Sequence, residues 1–323
     1  MHKNLNLLYS LTIQELVDEV TSNISVSQNK LIPDLPSYSD TQFQLGQYID
    51  GVKHFSAIRS QTPIVTFDST CVTALHSKNY LILAARAVAV NQDKSLSKQY
   101  HRWGPLFFSR IQQNIGIDQS NIDGKYGSIW IEEFIQSQVR LSLELCLLKR
   151  AFNTSDNSII LFDGSPNSNF TDYNLSSHLN HISNQPIAIV GISKTSTSEY
   201  FGSPFEFLEM SSKTPSYVEI KYNSSSKSYS NWVTFAVKFS NSGLPLRVDI
   251  LPLKISDPIQ ILEILAGSDS FYSGYPESLR LAHHLSVFTP LESSGLKNLI
   301  ETKTNHRNLS YRNRRLTFLG SIN

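Results

Sequence analysis

The sequence predicts an α/β protein, in which a mixed sheet is flanked by helices and extended by helical segments at both termini. Two β-branched and aromatic runs, residues 62–69 and 158–165, each close with an aspartate and small turn residues, as buried strands do at the rim of a sheet. A strongly helical stretch, residues 128–152, separates them. Strands, a long helix and then another strand indicate a mixed sheet covered by helices.

The N-terminal part predicts a helix followed by a connector. Thr12 and Glu15 form a capping-box pattern before apolar residues at helical spacing. Residues 25–47 lose that period and contain prolines, which indicates a surface connector. Residues 76–90 predict one or two further strands, whereas residues 93–127, polar and aromatic by turns, predict a loop or an inserted arm.

The second half predicts more sheet and then helices. Strands are expected at residues 186–192, 232–239 and 246–251, and helices at 258–266 and 276–287. We therefore expect an N-terminal helix and connector (1–60), a central domain with an inserted arm (61–290) and a basic C-terminal tail (291–323).

Composition excludes several classes of protein. The 323 residues include 28 Lys plus Arg and 27 Asp plus Glu, a formal net charge of +1, so no global field attracts polyanions and any such site must be local. Two cysteines are too few for a disulfide framework. No apolar run approaches the length of a bilayer span. We expect a cytoplasmic protein without a membrane partner.

Asp68 and Asp163 are the first candidates for a functional site, because each follows an apolar strand and precedes a small residue. Two such strand ends can place two carboxylates around one hard metal ion. The alternative is that each carboxylate merely caps the following turn.

Glu144 is a lone acid within an apolar stretch of the long predicted helix. Burial of an unpaired carboxylate is costly, and a metal ion would offset that cost. An i, i+4 ion pair with Arg140 is the alternative. Glu133 lies along the same side of the helix and is the second choice for the helical acid.

Three further residues could contribute to such a site. Lys194 follows a strand and could hold a phosphate, although an isolated lysine is more often solvated. Tyr275 and His283 flank the start of a helix begun by a proline and can face one cleft. A histidine on the buried side of a helix is, however, usually a core residue.

Taken together, these motifs resemble the NurA family of archaeal and bacterial DNA-end-processing nucleases. The resemblance spans residues 63–287, and its most specific parts are the Asp-Gly-Ser after a strand and the Tyr-Pro followed by Ala-His. The residues that carry it are Phe67-Asp68-Ser69, Glu144, Phe162-Asp163-Gly164-Ser165, Val190-Gly191-Ile192-Ser193-Lys194, Gly274-Tyr275-Pro276 and Ala282-His283. The sequence departs from the pattern at Ser69, where a glycine is expected.

The resemblance implies an RNase H-like core, a nuclease that depends on Mn²⁺ or Mg²⁺, a ring-like homodimer and a hexameric HerA-type ATPase as partner. Matched position by position, Asp68, Glu144 and Asp163 would bind the metal. Tyr275 and His283 would be the C-terminal active-site residues, with Lys194 as their neighbour.

The expected activity is that of a single-strand endonuclease and 5′-to-3′ exonuclease that resects DNA ends at double-strand breaks. Two alternatives remain open. The first is a non-catalytic dimer that guides DNA for the ATPase, and the second is an RNase H-like enzyme that acts on RNA or RNA–DNA hybrids.

Overall fold

The fold is built on one large sheet. The computed structural model describes a few residues between 12 and 21. It also describes residues 51–76, 80–92, 97–111, 126–154, 157–164, 186–193, 204–211, 213–220 and 232–304. Within these ranges nine strands form a single mixed sheet in the order β1-β7-β8-β9-β6-β5-β2-β3-β4, and two short strands form a hairpin.

Strands β2, β3 and β4 have 13 or 14 residues, and the other strands have between 2 and 7. They are β1 (Lys53–His54), β2 (Ile64–His76), β3 (Tyr80–Gln92), β4 (Lys98–Ile111), β5 (Ile159–Asp163), β6 (Ala188–Ser193), β7 (Ser216–Ile220), β8 (Val233–Lys238), β9 (Leu246–Pro252), β10 (Phe271–Tyr272) and β11 (Tyr275–Pro276). The helices that follow the N-terminal segment are α1 (Tyr126–Thr154), α2 (Pro204–Met210), α3 (Pro258–Ser268), α4 (Glu277–Ser286) and α5 (Pro290–Thr304).

The centre of the sheet has an RNase H-like arrangement. Strands β2, β3 and β4 form an antiparallel meander. After the crossover helix α1, β5 joins the other edge of β2 in parallel, and β6 joins β5 in parallel. Strand β9 then pairs with β6 antiparallel and begins the extension through β8 and β7 to β1. The expected mixed sheet flanked by helices is confirmed.

Each face of the sheet is covered by helix. Leu143 and Leu147 of α1 pack with Phe67 and Phe162 on one face. On the opposite face, apolar residues of α3 and α4 pack against alternate residues of the same strands: Ile64, Leu161, Ile261, Leu265 and Leu279 share one core. This alternation follows from the two-residue period of a strand, so successive residues of β2 face different helices.

Most predicted elements are present close to their expected bounds. The strands at β6, β8 and β9 and the helices α1, α3 and α4 are confirmed. Near the N-terminus, Thr12 and Glu15 form the predicted capping box, because the Glu15 amide donates to the Thr12 hydroxyl and the Thr12 amide donates to the Glu15 carboxylate. The connector at residues 25–47 lies outside the described residues.

The prediction of a loop or an inserted arm at residues 93–127 is wrong for its first half. Residues 98–111 form β4, in which Trp103, Leu106 and Phe108 are buried against the sheet. Gly104 and Pro105 of β4 lie opposite the single residue Arg86 of β3, and this bulge in β4, where Gly104 has a positive φ, shifts the register. Because this shift breaks the alternation of apolar and polar residues, the sequence lacks a clear strand period. The helical extension expected at the C-terminus is present up to residue 304, as α5.

A buried arginine fastens the helical C-terminal part to the sheet. Arg86 of β3 is 4% exposed, donates to the Val287 carbonyl oxygen at 3.0 Å and pairs with Glu292 at 2.8 Å. Its guanidinium also lies over the Phe288 ring, 4.2 Å from the centroid. Since these partners directly follow α4, Arg86 fixes how α4 lies on the sheet.

Replacing Glu292 should destabilise the protein more than replacing Arg86. Glu292→Gln leaves a guanidinium without its counter-charge at a site with 5% side-chain exposure, so we expect a loss of about 2 kcal/mol in the free energy of unfolding. Arg86→Met leaves Glu292 in partial contact with water and should cost about 1 kcal/mol or less. Urea denaturation of both variants measures the difference. An Arg86→Met protein less stable than Glu292→Gln would contradict this account.

Candidate active site

The site lies where β2 continues beyond the end of β5. The two strands are paired only from Ile64 with Ile159 to Phe67 with Phe162, but β2 runs on to His76. Asp68 is the first residue of β2 past that pairing, and Asp163 is the last residue of β5. The carboxyl ends of parallel strands are the usual position of ligand sites in α/β sheets. Both predicted acids therefore lie at the same edge.

Helix α4 places a histidine between the two aspartates. His283 Nδ1 is 3.2 Å from Asp68 Oδ2 and 3.9 Å from Asp163 Oδ2. Leu279, one helical turn earlier, is fully buried against the sheet, and this anchors the face of α4 that carries His283. The imidazole, which is 46% exposed, can therefore interact with both carboxylates and with a ligand.

A serine of the same helix holds Asp68. The Ser286 hydroxyl donates to Asp68 Oδ2 at 2.6 Å, and its oxygen lies 3.2 Å from the Thr70 hydroxyl. Ser286 is fully buried and Asp68 is 5% exposed. A buried carboxylate with two partners on α4 has little freedom to rotate, so the Asp68 oxygens have a fixed position.

Glu144 approaches the aspartates from α1, on the opposite face of the sheet. Its carboxylate accepts a 2.7 Å hydrogen bond from Ser69, the residue after Asp68. The ion pair with Arg140, which was the alternative to a metal site, is not formed; Arg140 donates Nε to the Ser69 carbonyl oxygen at 3.1 Å. The hydroxyl and the carbonyl oxygen of Ser69 are thus both hydrogen-bonded to α1, and these bonds join the helix to the strand that carries Asp68.

The three acids share one electrostatic environment. The pKa of Glu144 is raised to about 7, chiefly by burial. The charge of Arg140 and the Ser69 hydrogen bond act to lower this pKa, and the charges of Asp68 and Asp163 act to raise it. Like charges at short range disfavour simultaneous ionisation. The site therefore concentrates negative charge that its own cations offset incompletely.

Tyr275 completes the site from strand β11. Burial raises the pKa of its phenol, and the charge of Asp163, a hydrogen bond with Asp163 and the charge of Asp68 raise it further. The phenol consequently stays protonated at any physiological pH and keeps its capacity to donate a hydrogen bond at the carboxylate cluster.

The structure brings together Asp68, Glu144, Asp163, Tyr275 and His283. Lys194 lies outside the described residues, and Glu133, the second choice for the helical acid, is exposed on α1. The sequence analysis did not identify Ser69 and Ser286 as hydrogen-bond donors to the acids. The i, i+3 spacing of His283 and Ser286 was the available signal for the second.

The donor set suits a hard divalent cation. Carboxylate oxygens are the ligands that Mg²⁺ and Mn²⁺ prefer, and the raised pKa of Glu144 indicates negative charge that a cation would neutralise. Within the described part of the chain, no three acidic, histidine or cysteine side chains already form a closed cage. No helix among the described residues has the length and apolarity to cross a membrane.

Comparison with known proteins identifies the domain type. The family model described as "NurA domain" matches residues 64–288, well over half of the chain. No curated protein matches the sequence.

Similar solved structures extend over nearly the whole chain at low identity. The NurA nuclease from Sulfolobus solfataricus is 17% identical, with 94% of this chain and 98% of that chain covered and a TM-score of 0.49. A second NurA structure is 10% identical, with coverage of 93% and 99% and a TM-score of 0.50. A NurA structure with manganese is 10% identical, with coverage of 87% and 98% and a TM-score of 0.47. At such identities the second of these shows a shared fold only.

The raised pKa of Glu144 predicts how stability depends on pH in metal-free protein. The folded state holds this proton more tightly than the unfolded state, so the contribution of Glu144 to stability falls as pH rises from about 4.5 to about 7. Glu144→Gln removes this penalty and keeps an acceptor for Ser69. We expect the variant to gain on the order of 2 kcal/mol over wild type at pH 8 and almost nothing at pH 4.5.

Urea denaturation at both pH values, with a chelator present, measures this gain. Glu133→Gln, on the exposed side of the same helix, is the matched control and should show no such pH dependence. A gain for Glu144→Gln that is equal at the two pH values would contradict the assignment of the raised pKa to this carboxylate.

Proposed function

Since this chain belongs to the NurA family, we propose that it is a divalent-metal-dependent DNA nuclease. The observation that carries the proposal is the cluster in which His283 lies between Asp68 and Asp163. The charges of both aspartates also raise the pKa of Glu144. Hydrolysis of a phosphodiester requires negative charge to be stabilised on the phosphate. A cation held by clustered carboxylates serves that purpose.

Asp68, Asp163 and Glu144 would hold the metal, which we take to be Mn²⁺ or Mg²⁺. When bound, such an ion lowers the pKa of a bound water and stabilises charge on the phosphate. The hydrogen bond from Ser286 fixes Asp68, and that from Ser69 fixes Glu144, so both oxygens are oriented before an ion arrives. Ligands held in this way lose little freedom on binding.

Tyr275 and His283 act on the substrate side of the cluster. The protonated phenol of Tyr275 donates a hydrogen bond to a phosphate oxygen, and its high pKa prevents proton loss during the reaction. His283 is the group that transfers protons, because its exposed ring can move a proton between the carboxylates and the attacking water. Lys194 is assigned to the phosphate by the family resemblance alone.

The biological role we assign is resection of DNA ends at double-strand breaks in the cytoplasm, by single-strand endonuclease and 5′-to-3′ exonuclease activity. The nuclease domain spans residues 61–290 and works as a homodimer with a hexameric HerA-type ATPase. Family membership supports these assignments. Co-purification of the chain with such an ATPase, and the mass of the isolated protein by light scattering, test the two partners separately.

Cleavage assays test the nuclease proposal directly. In Mn²⁺, labelled single-stranded DNA should be cut by wild type, and Asp163→Asn, Glu144→Gln or excess chelator should reduce the rate at least about 100-fold, because each removes part of the charge stabilisation. Glu133→Gln is matched to Glu144→Gln in charge and helix and should cut like wild type. Manganese is the first ion to test because NurA has been crystallised with it.

The same assays separate the alternatives. Wild-type protein that binds the ATPase but cuts no nucleic acid, alone or in the complex, would favour the non-catalytic scaffold. Faster cleavage of RNA or RNA–DNA hybrids than of DNA would favour the RNase H-like alternative. Full activity of Asp163→Asn would remove the cluster from the mechanism.

Ser286→Ala tests whether the orientation of Asp68 matters. The variant keeps every proposed ligand but frees Asp68 Oδ2 from its 2.6 Å hydrogen bond. We expect a decrease of about 10- to 100-fold in activity at limiting Mn²⁺ that is partly recovered at high Mn²⁺, as for loss of an outer-shell partner. Ser286→Thr, which retains the hydroxyl, is the control. A decrease that Mn²⁺ concentration does not change would contradict an effect through Asp68.

A further inference from the structure

We propose that Tyr272 and Arg280 form a stacking platform that holds one unpaired nucleobase of the DNA strand beside the bond to be cut. This inference rests on the proposed nuclease function and adds the feature of the substrate that the site recognises. Tyr272 is 65% exposed and lies at the tip of the β10–β11 hairpin.

The hairpin directs Tyr272 toward the catalytic side. Tyr272 is paired directly with Tyr275, and such cross-strand partners project to the same face with Cβ atoms about 5 Å apart. Tyr275 in turn faces Asp163. The exposed ring of Tyr272 is therefore a neighbour of the group that we assign to the phosphate.

A close backbone contact holds the hairpin in place. Gly274, at φ +82°, lies so close to Gly243 that a Cβ at either glycine would come within 3 Å of the other's Cα. The hairpin is thus pressed against the turn between β8 and β9 and has little room to move. An aromatic ring on such a support is a fixed surface and needs little ordering when a base binds.

Arg280 is fixed in an orientation that suits stacking. Both Nε and a terminal nitrogen donate to the Glu277 carboxylate at 2.6 Å, which holds the guanidinium plane. Its central carbon lies 5.1 Å from the centre of the Tyr272 ring, so the cation covers one part of the ring. Because Tyr272 is 65% exposed, the rest of its ring surface is open to solvent.

The platform and the catalytic residues are one helical turn apart. Arg280 and His283 have i, i+3 spacing on α4, so the guanidinium and the imidazole lie on one side of that helix. A strand with its phosphate at the carboxylate cluster would therefore bring an adjacent base to Tyr272. Aromatic rings and arginine planes are the two surfaces on which unpaired bases stack.

This arrangement favours an unpaired strand over a duplex. In a duplex the neighbouring base is already stacked and paired, and its release costs a few kcal/mol. An unpaired base can occupy the platform without that cost. The platform thus gives a physical reason for preference toward single strands and frayed ends, independent of any base-specific hydrogen bond.

Cleavage of oligonucleotides with one abasic site tests the platform as a double-mutant cycle. The abasic site is moved through the positions on either side of the cut bond. At one position, loss of the base should slow wild type by about 5- to 150-fold. In Tyr272→Ala the same loss should change the rate less than about 2-fold, while Tyr272→Phe should behave like wild type. Phe207→Ala, which removes another exposed ring, from α2, is the control.

A binding measurement separates failure of the platform from failure of the nuclease proposal. With Asp163→Asn, single-stranded DNA that carries 2-aminopurine at the sensitive position, or at each position in turn, should lose fluorescence on binding, and Tyr272→Ala should abolish the loss. If wild type cuts no DNA, the nuclease proposal fails, but quenching still decides the platform. Equal abasic sensitivity in wild type and Tyr272→Ala, or equal quenching with and without Tyr272, would overturn it.

Discussion

The unequal lengths of β2 and β5 are the constraint on which the site depends. Strand β5 ends at Asp163, while β2 continues from Asp68 to His76 with only β3 to pair with on one edge. This step in the sheet leaves an open edge where helices from both faces can reach the same strand. Asp68 faces α4 and Ser69 faces α1, because consecutive residues of a strand point to opposite faces. One dipeptide thus connects two helices that otherwise lie on different sides of the sheet.

Closely placed carboxylates make the site costly in the absence of a cation. Asp68 is buried, and Glu144 has a pKa of about 7 because burial and the neighbouring aspartates oppose its ionisation. The surrounding hydrogen bonds reduce this cost only in part. The fold tolerates it because two large apolar cores, one on each face of the sheet, supply the stability that the site lacks. This is the usual relation between a strained functional site and its scaffold.

Helix α4 links the proposed metal-binding side of the site with its proposed substrate side. It carries Ser286 and His283 toward Asp68, and Arg280 toward the exposed hairpin. Its C-terminal end is held by the Arg86 clamp, and its N-terminal end by the buried Asp269, which accepts from the backbone and side chain of Ser278. With both ends fixed, the side chains on α4 keep their spacing relative to the acids, and this spacing relates the proposed base platform to the cluster.

The sequence by itself determined the local elements and the two strand-end aspartates. The apolar runs before Asp68 and Asp163 and the long helix that carries Glu144 are properties of neighbouring residues, so their periods could be read directly. Family motifs added Tyr275 and His283. Strand β4 was not recognised, because the bulge at Gly104 interrupts the alternation of apolar and polar residues by which a strand is identified.

Only the tertiary structure showed that Glu144, and not Glu133, lies beside the two aspartates, and that Ser69 rather than Arg140 bonds its carboxylate. It also revealed the contacts of Ser286 and Arg86 and the Tyr272–Arg280 pair. The deciding contacts, such as Ser69 with Glu144 and Ser286 with Asp68, join residues far apart in the chain. Hydrophobic period specifies which face of an element is buried, but not which polar group of another element will meet it. That choice follows from packing and register, which exist only once the sheet and its helices are assembled.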